Sequence, residues 1–440
     1  MSLFRDSGGA VVLQLAGAGL QFLAGILLAR WLFTDGRGVF GLIVLIPEMT
    51  RAVVNWGFGT ASTRFSAKNP SESASISLNA ISFGVLSGVL FSGVLLLFFP
   101  WLMDFVQGEG FEEVAAVNNG VEIAIWVSVL SLPLLLLESF LGGQLVALRA
   151  ILASNMAKVV QTGSFALFLW LFFRLYGPTV AVAIVARALS FALGNLFAFL
   201  VLTRVWKGPK KVSKERLVEV FQFGIRTLPA SIAVFLLFRI DVALVRIWRP
   251  VSDVGIYVLA SSLAMMFQVV GFAVERSLVP RIMGKTGEET KVLTPLATRC
   301  FMLVGFPIAA VAILCAWPLV PLLFGEDFAP AFLPFAIFLP GLVFGNVGQI
   351  CNTDLLGRGF PAYASYSAAV ALACNIGLNI WLIPKVGIVG AALASLVCYT
   401  LHGVILSAIY SRVVGVPLSS MLIPKLSDVG RILNLVRGRS

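Results

Sequence analysis

Charged side chains inside long apolar stretches are the residues of this sequence that could do chemistry. Four arginines and four carboxylates lie within such stretches: Arg51, Arg187, Arg226, Arg239, Glu48, Glu122, Glu138 and Asp241. A charge at the centre of a bilayer costs at least ~2.5–3.5 kcal/mol, so each of these side chains is expected to face a cavity or a partner. Arginine suits an anionic head group such as a pyrophosphate, because its planar fork binds phosphate oxygens bidentately and stays charged.

Two interpretations of these charges stand side by side. In the first, Arg51, Arg187 and Arg239 line a cationic chamber between the two halves of the chain and bind substrate there. In the second, the charges form ion pairs between helices that only fix packing. Glu48 and Arg51 are three residues apart and can pair on one helix face. Arg239 and Asp241 are two residues apart, so we expect them to have separate partners.

Arg30 and Arg246 are a further pair of candidates. They end the first and the seventh apolar stretch, at matching places in the two halves of the sequence. There they could gate the outer mouth of the chamber, or they could anchor the helix ends at the membrane interface.

The composition of the chain predicts the elements that position these residues. Only 12% of the 440 residues are charged, 59% are hydrophobic, and the mean hydropathy is +0.97, whereas a soluble chain carries about 25% charged residues. Apolar stretches of about 20 residues have the length of a membrane-spanning helix. A transmembrane β-barrel would instead alternate polar and apolar residues. The sequence therefore predicts an all-α integral membrane protein.

Twelve membrane spans are predicted, with both termini in the cytoplasm. The first is expected to be a retained helix, because no cleavage site follows it. Most of the 32 Lys and Arg fall in the N-terminus, the even-numbered loops and the tail, which is the bias of cytoplasmic segments. The predicted spans lie at about 9–32, 39–62, 77–99, 119–141, 155–174, 179–203, 219–247, 254–278, 297–323, 331–352, 362–383 and 388–411.

Two motifs occur once in each half of the chain. Gly38-Val39-Phe40 recurs as Gly255-Ile256-Tyr257, and the stretch from Trp170 to Gly177 recurs as Trp381 to Gly387. Six spans before the linker and six after it predict parallel repeats, as in transporters that rock one half against the other. The predicted segments are an N-lobe at 1–205, a linker at 206–218, a C-lobe at 219–413 and a cytoplasmic tail at 414–440.

Several residue types predict structure rather than chemistry. The tail has an apolar stripe at helical spacing, which fits either a helix on the anionic inner leaflet or packing against the protein's own loops. The five cysteines lack CxxC spacing and, like the lone His402, are expected to be core residues, so no metal site is predicted. The net charge of +11 follows from membrane topology, and no nucleic-acid partner is expected.

Three motifs occur in order along the chain. They are Ala29-Arg30-Trp31-Leu32 with Gly38-Val39-Phe40-Gly41, Arg239-Ile240-Asp241 with Val254-Gly255-Ile256-Tyr257, and Asn375-Ile376-Gly377-Leu378-Asn379-Ile380-Trp381-Leu382-Ile383-Pro384 with Gly387-Ile388-Val389-Gly390-Ala391-Ala392. Together these motifs resemble the polysaccharide transporter family of the multidrug/oligosaccharidyl-lipid/polysaccharide flippase superfamily. The resemblance implies two pseudo-symmetric six-helix lobes around a central cavity. It also implies translocation of an undecaprenyl-pyrophosphate-linked oligosaccharide from the inner to the outer leaflet without ATP hydrolysis, as in the synthesis of O-antigen and lipopolysaccharide.

The resemblance also carries expectations about cofactors, ion coupling, location and partners. No cofactor is expected, and no GxxxxGK[ST] nucleotide loop is present. Coupling to a proton or sodium gradient would fall to Glu48, Glu138 or Asp241. The expected location is the bacterial cytoplasmic membrane, with membrane lipids, a polysaccharide polymerase and chain-length machinery as partners. The alternatives are a cation-coupled exporter of drugs or small amphiphiles and, disfavoured by short outer loops, a membrane glycosyltransferase or polymerase.

Overall fold

The structure is a computed structural model that describes residues 2–107, 120–268, 271, 287–360, 362–423, 425 and 428. Every regular element within these residues is a helix. The α-helices are α1 (Ser2–Val54), α2 (Phe58–Lys68), α3 (Ser73–Leu97), α4 (Phe99–Gln107), α5 (Val121–Leu130), α6 (Leu132–Ala147), α7 (Ile151–Tyr176), α8 (Val180–Val205), α9 (Lys214–Leu237), α10 (Ile240–Trp248), α11 (Val251–Met266), α12 (Gly287–Phe324), α13 (Phe332–Gly357), α14 (Ala362–Val414) and α15 (Ser419–Leu422). Short 3₁₀ turns at Pro70–Glu72 and Glu326–Ala331 precede α3 and α13.

Nine segments of the described chain are long and apolar enough to cross a membrane. Two of them, in α1 and α14, are interrupted by one residue with non-helical backbone angles, and α11 is a shorter apolar helix. Helices are expected here because lipid offers no partner for an unpaired backbone N–H or C=O group. The prediction of an all-α membrane protein is confirmed, and the count of twelve spans stays a prediction.

Backbone turns separate the helices at the repeated motifs. Gly177 ends α7 with φ 84°, and the corresponding Gly387 interrupts α14 with φ 64°. Glycine adopts positive φ without the clash that a Cβ atom causes. After the first of these turns, Thr179 caps α8 by accepting a hydrogen bond from the backbone N–H of Val182 at 3.3 Å. The duplicated sequence thus gives the same kind of helix end in both halves.

The chain forms two compact units. The first comprises Met1–Phe235 and Arg249–Ile256, and the second comprises Leu236–Trp248 and Tyr257–Ser440. In the first unit, one core cluster packs Phe58 and Phe140 together with Leu136 and Val220. In the second unit, another core cluster gathers around the fully buried Tyr410.

The predicted linker, residues 206–218, is hydrogen-bonded to the start of α3 within the first unit. The side-chain amide of Asn79 donates to the carbonyl of Ser213 at 2.9 Å and accepts from its N–H at 3.1 Å. Arg216 forms a bidentate pair with Glu72, with N–O distances of 2.6 and 2.9 Å. These hydrogen bonds and this ion pair hold the linker against the first unit.

Gly38 and Gly255, the corresponding glycines of the duplicated motif, each pack closely against the helix that carries the other, within the first unit. A Cβ atom added to Gly38 would lie 2.1 Å from the carbonyl oxygen of Val251, four residues before Gly255. A Cβ atom added to Gly255 would lie 2.0 Å from the carbonyl oxygen of Thr34, four residues before Gly38. Any larger residue at either position would therefore force the second part of α1 and α11 apart.

The described part of the tail packs against α12 in the second unit. Met421 and Asp428 are fully buried, and Asp428 accepts hydrogen bonds from Arg299 at 2.6 and 3.2 Å. Thr298 donates to the carbonyl of Met421 at 3.1 Å. Of the two predicted alternatives, this segment adopts packing against the protein itself, and most of the tail beyond Ile423 lies outside the described residues.

The predictions for the lone histidine and for two of the cysteines are confirmed. His402 is buried, and its Nδ1 lies 2.9 Å from the hydroxyl oxygen of Ser367. Cys351 and Cys398 are buried, whereas Cys315 is exposed, so the prediction that Cys315 is a core residue is wrong. In the part of the chain with described coordinates, no three His, Cys, Asp or Glu side chains come together as a metal site.

Candidate functional site

Glu138 lies between two cations from two other helices of the first unit. Its Oε1 accepts a hydrogen bond from Nζ of Lys158 at 2.7 Å, and its Oε2 lies 3.8 Å from Nη1 of Arg51. Glu138 belongs to α6, Arg51 to α1 and Lys158 to α7, so one carboxylate joins three helices. The three side chains keep 27%, 29% and 53% of their surface exposed, so the group can be reached from outside the packed core.

A second ion pair joins α1 to α8 in the same unit. Nη2 of Arg187 lies 3.0 Å from Oε1 of Glu48, and the guanidinium stacks 4.7 Å from the ring centre of Phe191. Glu48 and Arg51 lie three residues apart on α1, so the Glu48–Arg187 pair adjoins the Glu138 pair through this helix. Three cations and two carboxylates therefore make up what we call the Glu138 cluster, with a net charge of +1. Its members are Glu48, Arg51, Glu138, Lys158 and Arg187.

The pairing of Glu48 with Arg51 along one helix, which their spacing allows, is wrong. Glu48 pairs with Arg187, and Arg51 lies beside Glu138 instead. Spacing along one helix gives the pairs that are geometrically within reach, but it carries no information about which neighbouring helices offer a closer partner. Both interactions bridge helices, and both leave part of each side chain exposed.

Local structure explains why Arg51 is placed in this cluster. It lies in the last turn of α1, where the helix dipole favours a positive charge. The helix ends at Val54, and the side chain of Asn55 then accepts a hydrogen bond from the N–H of Gly59 at 3.1 Å. Gly57 takes φ 65° in this turn, which leads directly into α2.

Lys158 is the functional candidate that the sequence interpretation missed. Its position close to the predicted cytoplasmic side places it among the loop cations, whereas the structure pairs it with Glu138. The sequence could have pointed to Lys158, because it is the fourth residue of a predicted apolar span. A lysine at such a position needs a charged partner or contact with water.

Asp241 forms a separate cluster in the second unit. The carboxylate is 1% exposed and accepts hydrogen bonds from the hydroxyl of Tyr257 at 2.5 Å, the hydroxyl of Ser395 at 3.2 Å and the N–H of Val242 at 2.9 Å. Asp241 stands in the first turn of α10, where the helix dipole favours an acid. These three donors are neutral, and among the described residues no Lys, Arg or His nitrogen lies within 4 Å of the carboxylate. Such a carboxylate suits the reversible binding of a proton or a small cation.

Two polar groups accompany Asp241. The hydroxyl of Tyr399, one turn beyond Ser395, is buried and has no hydrogen-bond partner in the described chain. Arg239 is half-buried and makes no ion pair with a carboxylate that the structure describes. The spacing of two residues predicted separate partners for Arg239 and Asp241, and the two side chains are indeed not bonded to each other. The role of Arg239 in substrate binding stays a prediction.

The remaining arginine candidates lie in more varied settings. Arg30 and Arg226 are exposed and Arg246 is half-exposed, so the proposed outer gate at Arg30 and Arg246 stays a prediction. Arg37, which the sequence places among the outward loop cations, is instead 5% exposed and donates to the carbonyl of Gly25 at 3.0 Å. The backbone between the two residues is non-helical at Phe33, where φ is 54°.

Comparison with known protein sequences gives a family and a relative. A family profile described as "Polysaccharide biosynthesis protein" matches residues 3–284. The chain is 22% identical over 419 residues to the "Probable low-salt glycan biosynthesis flippase Agl15" of Haloferax volcanii, which covers 92% of this chain and 83% of the relative.

Comparison with solved structures identifies the fold. A multidrug resistance MATE family transporter of the MOP superfamily, in its inward-facing conformation, matches with a TM-score of 0.72 at 14% identity, covering 94% of this chain and 99% of the other. The lipid II flippase MurJ, in an inward closed conformation, matches with a TM-score of 0.72 at 13% identity over 100% of this chain and 93% of the other. The chain therefore has the fold of these transporters.

Proposed function

The chain belongs to the polysaccharide biosynthesis protein family, and from this premise we propose that it is a flippase for lipid-linked oligosaccharides. The substrate is an undecaprenyl-pyrophosphate-linked repeat unit used in the synthesis of a surface polysaccharide. The protein moves it from the inner to the outer leaflet by alternating access and changes no covalent bond. The relative from Haloferax volcanii, whose name describes a glycan biosynthesis flippase, supports this proposal.

The Glu138 cluster is the observation that carries the proposal. It holds three cations from three membrane-spanning segments, and its side chains remain partly exposed within an otherwise apolar helix bundle. Intramembrane charges are expensive, and the two carboxylates leave one of the three positive charges unbalanced, so an anionic ligand would complete the charge balance. Guanidinium and ammonium groups in one cluster suit the oxygens of a diphosphate. Arg51 and Arg187 are therefore proposed to bind the pyrophosphate group, and Arg239, in the second unit, is proposed as a further substrate-binding cation.

Coupling to an ion gradient is assigned to Asp241. Glu48 and Glu138 already have cations as partners, whereas Asp241 is buried among neutral donors. A buried carboxylate in neutral surroundings gains most from a proton or a sodium ion, because either removes the cost of an unpaired charge. Loading and unloading of this site would alternate with substrate movement.

The proposed setting is the bacterial cytoplasmic membrane, with both termini in the cytoplasm. The distribution of Lys and Arg between loops supports this orientation. The lipid tail of the substrate stays in the bilayer while the head group crosses through the protein. A polysaccharide polymerase and its chain-length machinery would use the product on the outer side.

Deletion of the gene in the native host tests this function. We expect lipid-linked repeat units to accumulate on the cytoplasmic side, with loss of the surface polysaccharide, and we expect the wild-type gene to restore both. Unchanged polysaccharide, without accumulation of the lipid-linked unit, contradicts the proposal. If drug sensitivity alone changes, the chain is instead an exporter of small amphiphiles.

A further inference from the structure

Glu138 occupies the place that an anionic ligand would take among the cations of the first unit. It accepts a hydrogen bond from Lys158 at 2.7 Å and lies 3.8 Å from Arg51, while Arg187 pairs with Glu48 at 3.0 Å. These three cations come from α7, α1 and α8, and the carboxylate comes from α6. Glu138 therefore balances the cations of α1 and α7, whereas Glu48 balances the cation of α8.

We propose that Glu138 is an internal substitute for the diphosphate of the substrate and is displaced from Lys158 and Arg51 when the diphosphate binds. This inference rests on the proposed function and deepens it. Carboxylate and phosphate oxygens compete for the same N–H donors, and a diphosphate offers more charge and more acceptor oxygens than one carboxylate. The 3.8 Å separation between Arg51 and Glu138 exceeds hydrogen-bond length, so Arg51 is the cation that a ligand can recruit at least cost.

The exposed fractions of the side chains fit this exchange. The side chain of Lys158 is 53% exposed, so its ammonium group can turn from Glu138 to a ligand without leaving a packed environment. Arg187 is 12% exposed and fixed between Glu48 and the ring of Phe191, so it provides a constant positive field. Lys158 and Arg51 are thus the cations that change partner, and Arg187 is the one that keeps its place.

A substitute anion serves both the empty and the loaded state. Without ligand, Glu138 prevents Lys158 and Arg51 from facing each other unpaired, which is unfavourable inside a membrane. With ligand, it remains beside the site as a competitor and limits how tightly the diphosphate is bound. A carrier must release its cargo, and this competition keeps the diphosphate from being held too tightly to leave.

The variant Glu138→Gln tests the inference, since it keeps the shape of the side chain and removes its charge. Full-length protein in detergent is titrated with farnesyl diphosphate, and farnesol serves as the probe without the charged group. We expect the variant to bind farnesyl diphosphate about tenfold more tightly than the wild type, equivalent to ~1.4 kcal/mol, and to transport the lipid-linked substrate more slowly. Farnesol binding should not change.

The matched control is Glu122→Gln, which removes an exposed carboxylate from α5. In the described part of the chain, Glu122 makes no ion pair, so its removal should leave the affinity for farnesyl diphosphate unchanged. Glu138→Asp is the second variant, for use if the glutamine variant fails to fold, because it keeps the negative charge. The shorter side chain moves the carboxylate away from Lys158, so we expect this variant to bind farnesyl diphosphate about threefold more tightly than the wild type.

Equal or weaker binding of farnesyl diphosphate by both Glu138 variants overturns the inference. Absence of binding by the wild type and by both variants overturns it as well. Neither result decides the proposed function, because accumulation of lipid-linked units in the deletion strain is measured independently of this site. Conversely, a deletion strain without accumulation, together with tighter binding by the variants, would leave an anion site in a protein of another function.

Discussion

The ammonium group of Lys158 donates a 2.7 Å hydrogen bond to Glu138, which joins one membrane-spanning helix to its neighbour. The same carboxylate faces Arg51 at 3.8 Å. A lysine from the edge of an apolar stretch thus becomes part of a charged cluster within the first unit. Because unpaired charges are unfavourable in a membrane, the side chains that neutralise one another here are also the ones that can bind a charged substrate.

Substitution of Lys158 by methionine tests its part in binding. Methionine preserves the apolar stem and removes the charge, so the diphosphate loses one of its cations. We expect the affinity for farnesyl diphosphate to fall about tenfold, with only ~0.2–1 kcal/mol lost in stability because the pair is half exposed. Isothermal titration and thermal unfolding in detergent measure the two effects. Lys210→Met, an exposed linker lysine, is the control, and an equal loss there would argue against a specific site.

Removal of Arg187 separates binding from packing. Arg187→Gln leaves Glu48 partly buried without its partner, and we expect ~1–3 kcal/mol of destabilisation together with loss of transport. The double variant Glu48→Gln with Arg187→Gln removes both charges, so it should regain stability but not transport. Thermal unfolding and a flipping assay are compared for both proteins. Recovery of transport in the double variant would assign Arg187 to packing alone.

The proposed coupling at Asp241 predicts a specific defect. Asp241→Asn keeps the hydrogen bonds to Tyr257 and Ser395 within reach but cannot gain or lose a charge. We expect the variant to insert normally and to flip substrate at a rate that no longer responds to an imposed proton or sodium gradient. Asp253→Asn, which removes the partner of Arg249, is the control. A gradient response retained by Asp241→Asn would move the coupling site elsewhere.

The sequence predicted the helical architecture because the length of an apolar stretch and the cost of unpaired backbone groups in lipid suffice for it. The partners of individual charges required the structure. The spacing between Glu48 and Arg51 was compatible with a pair, but the true partner of Glu48 is Arg187, which is distant in sequence. Arg37 was assigned to the loop cations because nothing in the neighbouring sequence reveals that its side chain is buried.

The duplicated glycines predict a sensitive contact. Gly38→Ala and Gly255→Ala each place a Cβ atom at 2.0–2.1 Å from a carbonyl oxygen of the other helix. We expect each to cost ~1–3 kcal/mol, as for other overpacked sites. Gly93→Ala is the control, since its Cβ atom would meet nothing within 4 Å, and helix propensity alone favours alanine there by ~0.5–1 kcal/mol. Thermal unfolding of the three variants in detergent checks this, and equal stability would contradict the close contact.

Transport of a lipid-linked oligosaccharide by the purified protein tests the central claim most directly. The protein is reconstituted into vesicles with a fluorescent undecaprenyl-pyrophosphate oligosaccharide, and exposure of its glycan to an added glycosidase is followed in time. We predict that the protected fraction becomes accessible within the assay in the presence of wild-type protein, and stays protected with Arg187→Gln or without protein. Protection that persists with folded wild-type protein, under either a proton or a sodium gradient, would contradict the account.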